Sequence, residues 1–314
     1  MDLTNRQMRD IYADLLIMYA EKYPDLIAID ADLRKAIRLN KFADAYPERA
    51  INVGVAEANM IGVAAGLANM GKRPFTHTFT PFASRRVFDQ VTVSVAYAGL
   101  PVKMVGSDPG VMAQLNGGTH MSLEDVGLMR TLPTMTIVEP VDGVQLAALM
   151  PQIIEHDGPL YLRLIRQEFD PIFEEGETFE IGKAKTVCSG KDVTVFASGI
   201  MVKPSLDAAE MLAEEDISVE VINIHTVKPL DVDAIVASAK KTGAVVVAEN
   251  HNIIGALGSA VAETLGERLP TPLKRVGIKD HFGEVGKKDF LVEKFGLTKK
   301  EVTEAIYDVL KKKK

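Results

Sequence analysis

Residues 51–70, INVGVAEANMIGVAAGLANM, decide how the rest of the chain is read. Asn52 and Gly54 close a short β-run, and residues 55–57 open a helix made of Ala, Gly, Val and Met. Ala58, Gly62, Ala64, Ala65 and Gly66 keep that helix thin, so a second backbone can come close to it. One carboxylate, Glu57, stands at its start among apolar neighbours. Burying it is costly unless a basic group meets it. On a surface, the same residue simply complements the positive end of the helix dipole. The spacing alone leaves both readings open.

Working outward, residues 73–80 (RPFTHTFT) read as a strand, and Pro81 sits where a helix begins, which predicts a helix running towards Ala98. Phe79, Phe82 and Phe88 in this run have the spacing of core aromatics. Residues 100–105 (LPVKMV) are a buried strand. The Gly-rich stretch 106–120 follows it and reads as a loop at a strand's C-terminal end, a usual place for function. Upstream, Thr4-x-x-Gln7 has the form of a capping box before an amphipathic helix, and residues 26–30 form a strand that ends in Asp30-Ala31-Asp32. Open parallel sheets bind ligands at such strand ends, which makes Asp32 a candidate cofactor contact. Turn chemistry and helix capping are the other reading of both acids. Arg34, Arg38 and Lys41 read as a solvated helical segment.

These pieces together resemble the transketolase group of thiamine diphosphate enzymes. Gly54-Val55-Ala56-Glu57-x-x-Met60 is similar to the group's G-[IV]-[AR]-E-x-x-M, and Phe79-x-x-Phe82 followed by Arg86-x-Phe88-Asp89-Gln90 is similar to its F-x-x-F and R-x-[FY]-D-Q, with one extra residue between. Gly118-Thr119-His120 resembles G-x-T-H, Leu123-Glu124-Asp125 with Arg130-x-Leu-Pro133 matches the run after it, and Arg166-Gln167 resembles the S-R-Q strand end. The resemblance implies that Glu57 hydrogen-bonds N1′ of the cofactor's aminopyrimidine in a dry site. A proton held there favours the imino tautomer that deprotonates thiazolium C2. It further implies that Phe79 or Phe82, the latter preferred, stacks on the pyrimidine. His120 would face the substrate, and Arg166 would grip a sugar phosphate with its fork. Two departures mark the substrate end: Ser107-Asp108-Pro109 stands for His-Asp-Ser, and Leu115-Asn116-Gly117 for Glu-Asp-Gly. Ser107 and Asn116 are thus candidate substrate contacts, lacking the His cation and the Asp carboxylate.

The expected fold class is α/β, as two consecutive three-layer α/β domains with mostly parallel central sheets. Residues 1–168 form the pyrimidine-binding domain, 169–188 a polar, acidic linker, and 189–314 a domain like the transketolase C-terminal one. In the second, β/α alternation runs from 193 to a final helix at 299–312, and Glu249-Asn250-His251 before Gly255 reads as a strand–turn–helix joint. His225 and His281 read as structural or exposed. The group's metal–diphosphate signature, G-D-G followed by an Asn, is missing; Asp142-Gly143 is a helix cap. The resemblance therefore implies a split transketolase working in the pentose phosphate pathway as an α2β2 heterotetramer. The partner, an N-terminal diphosphate-binding subunit, would hold Mg or Ca, and this chain would hold no metal. Self-association as a dimer through the Glu57 helix is expected, and sugar phosphates are the expected substrates.

The remaining composition bounds other roles. A net charge of −7 argues against nucleic acid or an anionic membrane, and the tail 311–314 reads as a solvated helix end. A single cysteine, Cys188, excludes an intrachain disulfide. The start of the chain lacks the pattern of a signal sequence, so a cytoplasmic protein is expected. Three further readings stay beside the first: the beta subunit of a 2-oxoacid dehydrogenase, which shows H-S-Q where this chain has Thr119-His120-Met121; another thiamine diphosphate enzyme with a different ketose or aldose; and a non-catalytic subunit that keeps the fold.

Overall fold

A computed structural model describes residues 1–313; Lys314, the last of the basic tail, lies outside the described residues. Among the described residues, twelve strands form in chain order. In the first half they are β1 (Leu26–Asp30), β2 (Ala50–Asn52), β3 (Arg73–Phe79), β4 (Lys103–Ser107), β5 (Thr136–Val138) and β6 (Leu160–Leu164). In the second half they are β7 (Lys185–Cys188), β8 (Val193–Ala197), β9 (Val219–Asn223), β10 (Thr226–Lys228), β11 (Val245–Asn252) and β12 (Leu273–Ile278). Two sheets result, ordered β10-β5-β6-β4-β3-β1-β2 and β12-β11-β8-β9-β7. All pairings are parallel except β10 with β5 and β7 with β9.

Side chains alternate across the first sheet and sort the core into two layers. Leu26, Ala28, Phe75 and Val105 pack under the helices Met8–Lys22 and Gly143–Glu155. Ile27, Ile29 and Met104 pack under the Glu57 helix, Glu57–Asn69. β1, β4 and β6 are buried on both faces, which is why they read as largely apolar runs. Asp142 caps the helix Gly143–Glu155 by accepting from the Gln145 N–H at 2.8 Å, as expected of Asp-Gly there.

Several local expectations are corrected. No capping box forms: Gln7 precedes the first helix without a side-chain cap, because Thr4 bonds the Asp2 carboxylate and the side-chain oxygen of Gln7 accepts from Arg9. The helix expected to run from Pro81 to Ala98 is broken into Thr80–Ala83, a 3-10 turn Arg85–Val87, Phe88–Gln90 and a π-helical stretch Val91–Ala96. That break turns Arg85 and Arg86 out of a regular helical spacing. Arg34 and Arg38 lie on turns, and the helix begins only at Asn40–Ala45. The expected linker 169–188 includes β7, which edges the second sheet, and β10 crosses back to complete the first. His225 is buried against the edge of Phe179, and His281 is exposed. No described helix is long and apolar enough to cross a membrane.

Candidate active site

The C-terminal ends of β1, β3, β4 and β6 deliver the candidate residues to one edge of the first sheet. Glu57 is the first residue of its helix and is 4% exposed. Its carboxylate accepts from Arg86 Nη1 at 2.8 Å, so a basic group does meet the buried acid. The same guanidinium lies 3.7 Å from the centre of the Phe82 ring. Phe82 packs edge-on against His120 at 5.2 Å, and Phe79 does so at 5.9 Å. Arg166 in turn sits 4.8 Å over Phe79 and is held by a close ion pair to Asp108, which is buried. Glu57, Arg86, Phe82, His120, Phe79 and Arg166 thus form one continuous line of contacts.

The charges along that line have identifiable partners. Burial pushes the Asp108 carboxyl up, against the pull of Arg166. Arg9, from the first turn of the first helix, gives its Nη1 to the Ala36 carbonyl and its Nε and Nη2 to Gln7 Oε1. Burial first, then Arg38 and Arg166, hold the Arg9 guanidinium below its ordinary range, so three cations crowd this end of the site and repel one another. An anion bound between them would relieve that repulsion. The His120 loop is stapled from outside by Arg85, which donates to the Thr119 carbonyl at 2.9 Å and to Glu124 at 2.6 Å. Thr119 Oγ1 lies 2.9 Å from His120 Nδ1.

Three candidates stand apart from the line. Asp32 is exposed, at φ 61°, and exchanges hydrogen bonds with Asn52. Ser107 is buried and gives its hydroxyl to the Thr78 carbonyl at 3.3 Å. Asn116 is exposed at the end of the 3-10 segment Gly110–Asn116. Sequence reasoning gave no role to Arg86, Arg85 or Arg9. The signal for Arg86 was present: a buried carboxylate demands a cation, and Arg86 stands in the quoted aromatic motif.

Comparison with known proteins decides the family. Residues 4–171 match the transketolase pyrimidine binding domain, and residues 182–302 match the transketolase C-terminal domain. The chain belongs to the transketolase family. It is 60% identical over 311 residues to the 6-deoxy-6-sulfo-D-fructose transketolase subunit SqwH of Clostridium sp. (strain MSTE9), covering 99% of this chain and 97% of that one. It is 34% identical to an apulose-4-phosphate transketolase subunit of Phocaeicola vulgatus (strain ATCC 8482), with 97% of each chain covered. Among solved structures, a split gene transketolase described as an inactive beta4 tetramer superposes with a TM-score of 0.90 at 41% identity, covering 98% of this chain and 99% of that one. The chain is a transketolase-type transferase of the split kind.

Transketolases use thiamine diphosphate, and the residues here fit its aminopyrimidine end. The observation is Arg86: a flat, hydrogen-bonding group already stacks on Phe82 while donating to the Glu57 carboxylate. An aminopyrimidine ring offers the same combination of π-face and edge polarity. Among the described residues no group of three or more His, Cys, Asp or Glu is arranged to hold a metal ion.

Proposed function

We propose that this chain is the C-terminal subunit of a thiamine-diphosphate-dependent transketolase, moving a two-carbon ketol unit between sugars that carry an anionic terminus. Thiamine diphosphate, when bound, supplies a carbon nucleophile able to add to a ketose carbonyl and carry two carbons to an aldose. Glu57 shares a proton with the pyrimidine N1′ in a site from which water is excluded, and that proton sharing strengthens as the surroundings dry. Phe82 presents the stacking face, with Phe79 behind it. His120 gives a hydrogen bond to substrate oxygen, and Arg166 with Arg9 holds the anion. The observation that carries the reading is the unbroken line from the buried Glu57 to the Arg166–Asp108 pair.

The site covers only half of what the cofactor needs, so the reading includes a partner: an N-terminal subunit that grips the diphosphate through Mg or Ca, giving a heterotetramer. A second copy of this chain is assigned to the outer face of the Glu57 helix. Val55 there is 74% exposed, and a methyl added at Gly62 or Gly66 would touch nothing within this chain. Internal packing therefore does not call for glycine at either position. Val93 and Tyr97, the latter 91% exposed, add exposed apolar surface on and beside the π-helical stretch that packs against this helix. The relative solved as an inactive β4 tetramer supports self-association without activity. Within the anion-bearing class, the identity to the SqwH subunit favours a 6-sulfonated ketose over a phosphorylated one. Ser107, smaller than the family's His, is consistent with a changed anion seat, as is Asn116 for hydroxyl recognition. A cytoplasmic setting in carbohydrate metabolism, such as the pentose phosphate pathway, goes with this reading.

The test is reconstitution with the diphosphate-binding subunit, offering 6-deoxy-6-sulfofructose or xylulose 5-phosphate as donor. Two-carbon transfer should require both subunits. Turnover by this chain alone would refute the split-site reading, and equal use of an uncharged ketose would refute the anion seat.

A further inference from the structure

The loop that carries His120 is stapled on one side by Arg85 of the first domain and held at its start, finish and tip by the second domain. It leaves β4 at Asp108, passes through the 3-10 segment Gly110–Asn116 with Gln114 at φ 49°, crosses two glycines, and reaches the helix Asp125–Thr131. At its start, the Asn250 side-chain amide bonds two backbone groups two residues apart. Nδ2 donates to the Pro109 carbonyl at 3.0 Å, and Oδ1 accepts from the Val111 N–H at 3.1 Å. At its finish, the Asn252 N–H donates to the Leu123 carbonyl at 2.9 Å, and His251 Nε2 accepts from the Gly127 N–H at 3.3 Å. At its tip, Gly118 packs on the Gly283 carbonyl so closely that a methyl would overlap the oxygen, and Gly283 packs likewise on Met121. Asn250, His251 and Asn252 end β11, and Gly283 follows β12, so every one of these holds comes from the second sheet.

The anchor is itself fixed from the first domain. The Asn250 carbonyl accepts from Arg163 Nη2 at 2.8 Å, and Arg163 is fully buried between Asp125 and Glu139. A primary amide holds a donor and an acceptor on two separate atoms in one plane, which suits it to bridge two backbone groups and set a loop's register through both of its partners. We infer that Asn250 is a positioning residue for the transfer reaction: it sets the register of the loop that places His120 against Phe82, and the second domain serves as the jig for the substrate side of the site. The inference rests on the reading of His120 as the residue facing the substrate.

The experiment uses the two-subunit enzyme with Asn250→Ala, Gly118→Ala, His120→Ala and the Asn250→Ala/His120→Ala double variant. Three quantities are measured: donor kcat and KM, proton exchange at C2 of bound thiamine diphosphate, and amide hydrogen exchange over residues 109–122. Asn250→Ala should lower donor kcat at least tenfold and speed amide exchange in the loop, while C2 exchange, which depends on Glu57, stays within twofold. The double variant should lose little more than His120→Ala alone, because the two act as one unit. Should Asn250→Ala not fold, Gly118→Ala, which disturbs only the contact at the loop tip, must give the same pattern. Multiplicative losses in the double variant, or C2 exchange falling in step with turnover, would overturn the inference. Normal turnover in His120→Ala would instead remove the reading beneath it.

Discussion

Replacing Glu57 with Gln separates the chemistry of this site from its architecture. The amide keeps the size of the carboxylate and still accepts a hydrogen bond from Arg86, 2.8 Å away. It cannot hold a proton for the pyrimidine nitrogen. Loss of a positioned acid–base group costs about 10²- to 10⁴-fold in rate, or about 3–5 kcal/mol of barrier. Folding stability should barely change. Arg86 is 44% exposed, so solvent screens its pair with Glu57, and such pairs contribute about 1 kcal/mol or less. Part of that loss is offset, because the neutral amide is cheaper to bury than the 4%-exposed carboxylate. The assay is two-carbon transfer by the reconstituted enzyme, beside thermal melts of this chain on its own. The expected result is a kcat reduced at least a hundredfold with a midpoint moved by no more than a few degrees. A kcat within tenfold of the parent enzyme would refute the proton-sharing role. A collapsed midpoint would show that the acid is there for the fold.

Phe82→Ala should weaken thiamine diphosphate binding more than Phe79→Ala does, since Arg86 lies over the Phe82 ring, and calorimetric titration of the complex orders the two. Arg166→Ala leaves Asp108 buried without its partner, a loss of about 3–5 kcal/mol in unfolding free energy, visible in urea melts. Arg166→Lys should recover much of the fold but raise KM for anionic donors, because an ammonium cannot fork. Stability should also fall on acidification. Burial holds His77 down at about 4 against 6.5 in the unfolded chain, so it folds neutral and the unfolded chain takes the extra proton. That contribution is whole above pH 6.5 and is lost as the pH drops towards 4, roughly 3 kcal/mol for one group. Urea melts of His77→Gln across that range should show a shallower slope than the parent, with His225, also held at about 4 by burial, and His156, likewise pulled down by burial, contributing to what remains.

Local chemistry made much of this molecule legible. Apolar runs of about five residues became the strands, and Val193–Ala197 lies where its alternation with helices puts it. Asp142 caps its helix, as a short acceptor before Gly should. What failed depended on competing side-chain bonds or on contacts far along the chain. The Thr-x-x-Gln box never formed, because Asp2 competes for Thr4 and Arg9 for Gln7. β10 is only three residues long, too short to carry a pattern, and it exists because β5 needs a neighbour. In the site, the acid, the aromatics, the histidine and even Arg86 stand in recognisable motifs, but the partner that Arg86 meets and any role for Asn250 could not be read there. Their roles come from what they reach, 29 residues away for the Arg86 contact to Glu57 and 139 for that of Asn250 to Val111.

The return of β10 to the first sheet limits where nature or an engineer can divide the polypeptide. A cut after the pyrimidine-binding half would strip β5 of its antiparallel neighbour and leave a bare, adhesive rim. The first sheet is thus completed by the second half, so any shuffling of that half among homologues must keep its three-residue patch.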